Sequence, residues 1–146
     1  MLYPDYKRYA LKYLESQKAV DAILDEKALI FQKTQPKSSI SENERVDGGT
    51  RVNKAEEYVI AMEQRHINER LAEAKAIMLD RLDMLRQKES ELRVSRDIHD
   101  VVYVCKHLDH MKIRQICKIT HYSEAQVYRT LKEIRKYENM IENERI

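Results

Sequence analysis

Apolar side chains recur along most of this chain at three- and four-residue intervals, the spacing that keeps one face of a helix apolar. Pro4 suits a first helical turn, and Tyr6, Tyr9, Tyr13, Val20, Leu24 and Phe31 follow that rule. They predict a first helix from about Pro4 to Gln32 with those residues facing inward. The next segment, KTQPKSSISENERVDGGTRV from Lys33, gathers Pro36, three serines and both glycines, which predicts a linker over about 33–52. From Asn53, an N-cap followed three residues later by Glu56, the stripe resumes as Val59, Met62, Leu71, Ala74, Met78, Leu82 and Leu85, widened by Ile60, Ile67 and Ile77. It predicts one helix to about Leu92. Some 40 residues at about 1.5 Å each reach roughly 60 Å, too long for one small core. The stripe must therefore meet the first helix or another subunit, as a helical hairpin or a coiled coil. The charged residues on its other face read as a solvated surface.

Three shorter elements follow. Ser95 is placed to cap a helix carrying Ile98, Val101, Val102, Cys105 and Leu108, ending at a break at Asp109 and His110. Lys112 to Thr120 forms a second, with Ile113, Ile116, Cys117 and Ile119. Glu124 to about Tyr137 forms a third, with Val127, Leu131 and Ile134 inward, and His121, Tyr122 and Ser123 lie between the last two. The expected organisation is a helical oligomerisation arm over 1–92 and a smaller three-helix domain over 93–146.

Composition agrees with an all-α fold. The 146 residues include 2 Gly, 2 Pro, 1 Phe and no Trp, with 42% hydrophobic and 36% charged, too few turn formers and bulky apolar groups for sandwiches or nucleotide-binding sheets. No stretch approaches the roughly 18 to 20 apolar residues of a membrane span, and the N-terminus, with Asp5, Lys7 and Arg8, lacks a signal-peptide core. A cytoplasmic location with no membrane partner is expected. Cys105 and Cys117 read as reduced thiols. They share 17 residues with His107, His110 and His121, but the spacings reproduce no CxxC pair, so no metal is assigned. His66 and His99 read as structural. A Gly-rich phosphate loop, a nucleophile elbow and an isolated acidic pair are all missing, so the chain reads as no enzyme and takes no cofactor.

What remains is QICKITHYSEAQVYRTLKEIRK, a short helix, a tight turn and a Ser-capped helix with Val four residues past the cap, the shape of a helix-turn-helix. Ile116 and Val127 would pack the two helices together, Cys117 would permit close approach, Tyr122 would plug the turn and Ser123 would cap. With Val127, Leu131 and Ile134 inward, Ala125, Arg129, Lys132 and Lys136 face outward, flanked by Gln126 and Tyr128. Charge supports a partner there. The whole chain carries +2, whereas Met111 to Lys136 holds seven cations against Glu124 and Glu133, a local +5 suited to DNA phosphates.

The stretch from Ser95 to Lys136 resembles region 4 of bacterial sigma factors, where Glu-Ile-Ala, a turn, Ser, two variable residues and Val precede a basic helix; here it reads Gln115-Ile116-Cys117, Ser123 and Val127. The layout of long helices, a Gly-Gly linker and a sigma-like C-terminal domain is similar to the RinA and ArpU group of phage late-transcription activators. His121 stands where such turns usually have Gly, and there a non-Gly residue needs φ > 0. The resemblance implies that Glu124, Ala125, Gln126, Tyr128 and Arg129 face base edges, and that Lys112, Arg114, Lys118, Ser123, Lys132 and Lys136 meet the phosphate backbone. Arg129 suits guanine O6 and N7, and Gln126 suits adenine. Glu124 either accepts from cytosine N4 or serves the helix N-terminus, where acids are favoured. The expected function is sequence-specific activation of phage late genes in a bacterial host, through double-stranded DNA, self-association as a dimer and contact with host RNA polymerase. The alternatives are a small-terminase-like packaging protein and a coiled-coil protein adaptor.

Overall fold

The computed structural model describes residues 1–34 and 54–144. Within them all regular structure is helical: α1 (Tyr3–Thr34), α2 (Lys54–Gln64), α3 (Ile67–Val94), α4 (Ile98–Tyr103), α5 (Ile113–Thr120) and α6 (Glu124–Asn143). The fold is all-α, as composition required. The expected linker lies outside the described residues apart from Lys33 and Thr34, which close α1. The chain divides into two compact units, one of Met1–Leu14 with Leu79–Ile146 and one of Glu15–Met78, so α1 and α3 each contribute to both.

In the second unit, Val20, Ile23 and Ile30 of α1 pack with Met62 of α2 and with Ile67 and Leu71 of α3. Of the two partners expected for the stripe, Met62, Ile67 and Leu71, with Ala74 and Met78 beside them, thus meet α1 of the same chain, while Val59, Ile60 and Ile77 stay about half exposed. Two sequence expectations change. On α1 the inward strip is Val20, Ile23 and Ile30, while Leu24 and Phe31 remain 41% and 50% exposed. The second long helix is broken. His66 takes φ 51°, with its N–H on the Glu63 carbonyl at 3.1 Å, and α3 begins afresh at Ile67. Geometry explains the break: five residues at about 100° each would set Ile67 about 140° away from Met62 on a continuous helix, yet both are buried in one core. A left-handed residue resets the phase. Glu26 is gripped by Arg70 at 3.0 Å and by Arg65 at 3.7 Å, a surface clasp between α1 and the start of α3. The hydrogen bonds from Arg70 hold its carboxyl below the usual carboxylate range.

The first unit is built on α4, α5 and α6, but its core is completed from far away in sequence. Tyr3 and Leu92 join Val102, Tyr103, Cys105, Ile116, Val127 and Ile134 in one buried cluster. Tyr3 stacks on Tyr103 at 5.2 Å, meets Tyr137 edge-on at 6.2 Å, and Tyr6 approaches Tyr103 at 6.1 Å. Such pairs contribute about 0.5–1.5 kcal/mol each beyond their buried area. The helical entry differs from expectation. Asp97, not Ser95, is the N-cap of α4, accepting from His99 N–H at 2.9 Å. Ser95 is drawn elsewhere: its hydroxyl donates to Asp100 Oδ2 at 2.6 Å. Asp100 is fully buried, and its Oδ1 accepts the N–H groups of Leu2 at 2.8 Å and Tyr3 at 3.0 Å. A side chain nearly a hundred residues away therefore caps α1.

After α4 the chain widens into one π-helical turn, Val104–Leu108, with Asp109 N–H on the Val104 carbonyl at 2.9 Å. It stops at the foreseen break, where His110 adopts φ 52° and Arg93 holds Asp109 at 3.2 Å. α6 runs six residues beyond Tyr137, because Ile141 extends the buried series of Val127 and Ile134 by another seven-residue step. Thr130 is buried with them, its hydroxyl donating to the Gln126 carbonyl at 2.8 Å, while Leu131 is half-buried.

Removing Asp100 leaves two helix-terminal N–H groups and a serine hydroxyl without their acceptor, so Asp100→Ala should cost about 3 kcal/mol in urea unfolding. The Tyr3 hydroxyl, by contrast, is buried with no hydrogen-bond partner among the described residues. Tyr3→Phe should match or exceed wild-type stability, by about 1 kcal/mol. A fragment of residues 93–146, lacking Tyr3, Tyr6 and Leu92, should show no cooperative thermal transition by circular dichroism.

Candidate nucleic-acid interface

α5 and α6 are joined by three residues, and each junction residue has a local duty. Lys112 precedes α5 at φ −76°, ψ 153°, and its N–H is taken by Gln115 Oε1 at 3.1 Å. At the other end the Thr120 hydroxyl bonds the Ile116 carbonyl at 2.6 Å. His121 then turns left-handed at φ 62°, ψ 15°, as the sequence requires of a residue in this place, with its N–H on the Cys117 carbonyl at 2.9 Å. Tyr122 packs against the core from the turn. Ser123 caps α6, its Oγ accepting from Gln126 N–H at 3.2 Å while Gln126 Oε1 accepts from Ser123 N–H at 3.0 Å. This reciprocal box fixes the first turn of α6. Ile116 and Val127 are both fully buried and clamp the two helices face to face, with Cys117 half-buried beside them.

The rotation set by Val127, Thr130, Ile134 and Ile141 leaves Glu124, Ala125, Gln126, Tyr128 and Arg129 exposed at the start of α6. Lys112, Arg114, Lys118, Ser123, Lys132 and Lys136 are exposed as well. These eleven residues all belong to α5, α6 and the residues that cap them. Gln126 and Ser123 are not idle: their side-chain oxygens serve the capping box, and Gln126 must release Ser123 N–H before its amide oxygen can bond elsewhere. Arg129 makes one long contact, Nε to the Ala125 carbonyl at 3.4 Å. Its guanidinium borders a shallow groove of about 240 Å³ between α4 and α6, together with His99, Thr130 and Glu133.

Among the described residues, Lys112, Arg114, Lys118, Lys132 and Lys136 have no ion-pair partner. The contrast within the same unit is clear, since Arg93 is held by both Glu89 and Asp109, and Arg8 by Asp5 and Glu144. Of the two acids in this stretch, Glu133 is bonded to His99 Nε2, which ties α6 to α4, and Glu124 occupies the first turn of α6. Neither covers a lysine. Arg135 is exposed too, and Ile119 is 60% exposed beside Lys118; helical spacing alone assigns neither a role, because exposure on a flank depends on how α5 and α6 pack.

Among the described residues no group of three or more His, Cys, Asp or Glu is arranged to hold a metal ion. Cys105 is a buried free thiol, and burial pushes its pKa above the ordinary thiol value. Also among the described residues, no helix is long and apolar enough to cross a membrane. No known protein family, curated protein or solved structure matches the chain.

The turn itself can be tested. A left-handed conformation costs a residue with a Cβ about 1–2 kcal/mol, so His121→Gly should stabilise the protein by about 1 kcal/mol in urea unfolding. Ser123→Ala should lose about 1 kcal/mol through the missing cap. A destabilised His121→Gly would mean that the imidazole itself holds the turn.

Proposed function

We propose that this chain is a sequence-specific double-stranded-DNA-binding activator of phage late transcription. It works in the cytoplasm of a bacterial host, self-associates, and has host RNA polymerase as a further partner. The observation that carries the DNA contact is the row of five cations on α5, its N-cap and α6 that have no ion partner among the described residues, in a stretch of net +5. Phosphates supply the charge that the chain itself does not. The start of α6 enters the major groove, where Arg129 bonds guanine O6 and N7, Tyr128 and Ala125 offer apolar contacts and Gln126 pairs adenine once it leaves Ser123. Glu124, at the first turn, favours the helix dipole and leaves cytosine N4 as its available base contact. Lys112, Arg114, Lys118, Ser123, Lys132 and Lys136 hold the backbone. No cofactor and no catalytic step enters this reading.

Three features support placing the site here and not on the long helices. From Lys54 to Val94 eight basic residues meet nine acids and along α1 six meet five, so the long helices together are neutral against the +5 here. The two helices of the candidate site are locked by Ile116 and Val127, so their exposed faces are presented rigidly. The resemblance to sigma region 4 falls on these same residues.

Arg129→Ala should abolish discrimination between selected and random DNA, a loss of about 1–3 kcal/mol, with the melting curve unchanged. An equal loss on both DNAs would make Arg129 a phosphate contact. If Lys112, Lys118, Lys132 and Lys136 each neutralise one phosphate, the log-log salt slope is about −4 for one chain and about −7 for a dimer. Changing those four lysines to Gln should remove most of it, whereas neutralising Lys75 and Arg86 should not. Sequencing DNA selected by the pure protein then decides the role: enrichment upstream of a late operon fits an activator, and enrichment at a packaging site replaces it with a terminase-like reading.

A further inference from the structure

Arg129, the residue assigned to guanine, shares its groove with an acid. Ile98, His99, Gln126, Arg129, Thr130 and Glu133 line the cleft of about 240 Å³ between α4 and α6. Glu133 stands four residues after Arg129, a spacing that brings Cβ atoms to about 5–6 Å and lets a carboxylate and a guanidinium pair. They do not pair. Among the described residues Arg129 has no ion partner, and its side chain makes the one long hydrogen bond from Nε to the Ala125 carbonyl at 3.4 Å. The Glu133 carboxylate is turned to His99 Nε2 across the groove.

His99 is set up for this contact. Asp97, the N-cap of α4, accepts the His99 main-chain N–H at 2.9 Å and faces its Nδ1 at 3.3 Å, so the ring is held at one edge with Nε2 aimed at α6. The His99 side chain is 22% exposed and that of Glu133 57%, so the ring is the fixed partner and the carboxylate the one with room to swing. We propose that His99 is a positioning residue for sequence recognition: by holding Glu133 it keeps the carboxylate off Arg129 and leaves the guanidinium open for guanine. This rests on the assignment of Arg129 to a base made above. Without the imidazole, Glu133 has Arg129 one turn before it and Lys136 three residues after it, and of these two Arg129 lines the same groove. A guanidinium already paired with a carboxylate has fewer of its N–H groups to present, and must break that pair before it can bond guanine O6 and N7 together. A histidine that merely tied α4 to α6 would behave differently, because removing Glu133 as well could not repair its loss.

The test compares dissociation constants of the full chain for selected and random DNA. Wild type, Glu133→Gln and the conservative His99→Gln, whose amide can still donate to Glu133, should give the same ratio. His99→Ala should lower that ratio about two- to fivefold, the size of shift expected from one exposed ion pair. The double variant His99→Ala with Glu133→Gln should restore it, although the tie between α4 and α6 is absent from that variant too. A second readout needs no DNA: exchange of the Arg129 Nε proton with water, followed by NMR, should slow in His99→Ala and return to the wild-type rate in the double variant. Unchanged discrimination in His99→Ala, or a loss that Glu133→Gln fails to restore, overturns the proposal, as does an exchange rate that ignores both substitutions. Arg129→Ala separates this proposal from the reading beneath it. If that variant keeps full discrimination, the base contact assigned to Arg129 fails, whereas the exchange rates still decide whether His99 holds Glu133 away.

Discussion

The buried carboxyl of Asp100 fixes the arrangement of the first unit. Its two oxygens accept from Leu2 N–H, Tyr3 N–H and Ser95 Oγ, so a single side chain on α4 holds the start of α1 and the segment leaving α3. A buried acid is costly unless every lone pair facing the protein is used, and breaking such a cluster strands the charge. The consequence is specificity more than net stability. With the α1 terminus pinned, Tyr3 must lie on Tyr103, and with Ser95 pinned, α4 must start at Asp97. α6 then finds α4 through His99 and Glu133, and α5 finds α6 through Ile116 and Val127. The orientation of the basic face follows from this chain of contacts.

A second constraint is how the helices end. His66, His110 and His121 are the positive-φ residues other than glycine among those described, and each closes a helical segment. Histidine tolerates the left-handed region better than β-branched residues, though glycine would cost less. Both glycines of this chain stand at 48 and 49, so none is available at these three corners. Each corner changes the direction of the chain within very few residues. That is how α5 and α6 meet closely enough for Ile116 and Val127 to be fully buried.

The parts of the fold written in the sequence are those decided locally. The turn between α5 and α6 was legible because Ser123, Gln126 and the apolar spacing around them act within a few residues, and the φ of His121 followed from its place in the turn. The end of α6 was equally local, since Ile141 repeats the step from Val127 to Ile134, but Tyr137 looked like a sufficient close. Long-range choices were not legible. Ser95 and Asp97 are both good caps, and only the demand of Asp100 for a donor separates them. On α1 two apolar strips lie one residue apart, and only the shape of α2 and α3 selects Ile23 and Ile30 over Leu24 and Phe31. The break at His66 carried no Gly or Pro; its one sign was the phase shift between Met62 and Ile67. For the candidate site, spacing indicated which residues face outward, whereas the occupation of Gln126 by its own cap depends on side-chain geometry that no spacing encodes.

The charges show what this economy of contacts leaves undone. The chain has 25 acids for 27 lysines and arginines, enough to pair nearly every cation, and it does pair Arg8, Arg65, Arg70 and Arg93. The cations of α5 and α6 have no such partner among the described residues. Seven like charges within 26 residues repel one another, and the unit tolerates this because the core of Tyr3, Leu92, Val102, Ile116, Val127 and Ile134 is closed from five helices. The repulsion is a standing cost that any polyanion laid along the face removes. Binding phosphate would then act twice, once through contact and once through relief of that strain, and any ligand held only by the folded form stabilises it by mass action.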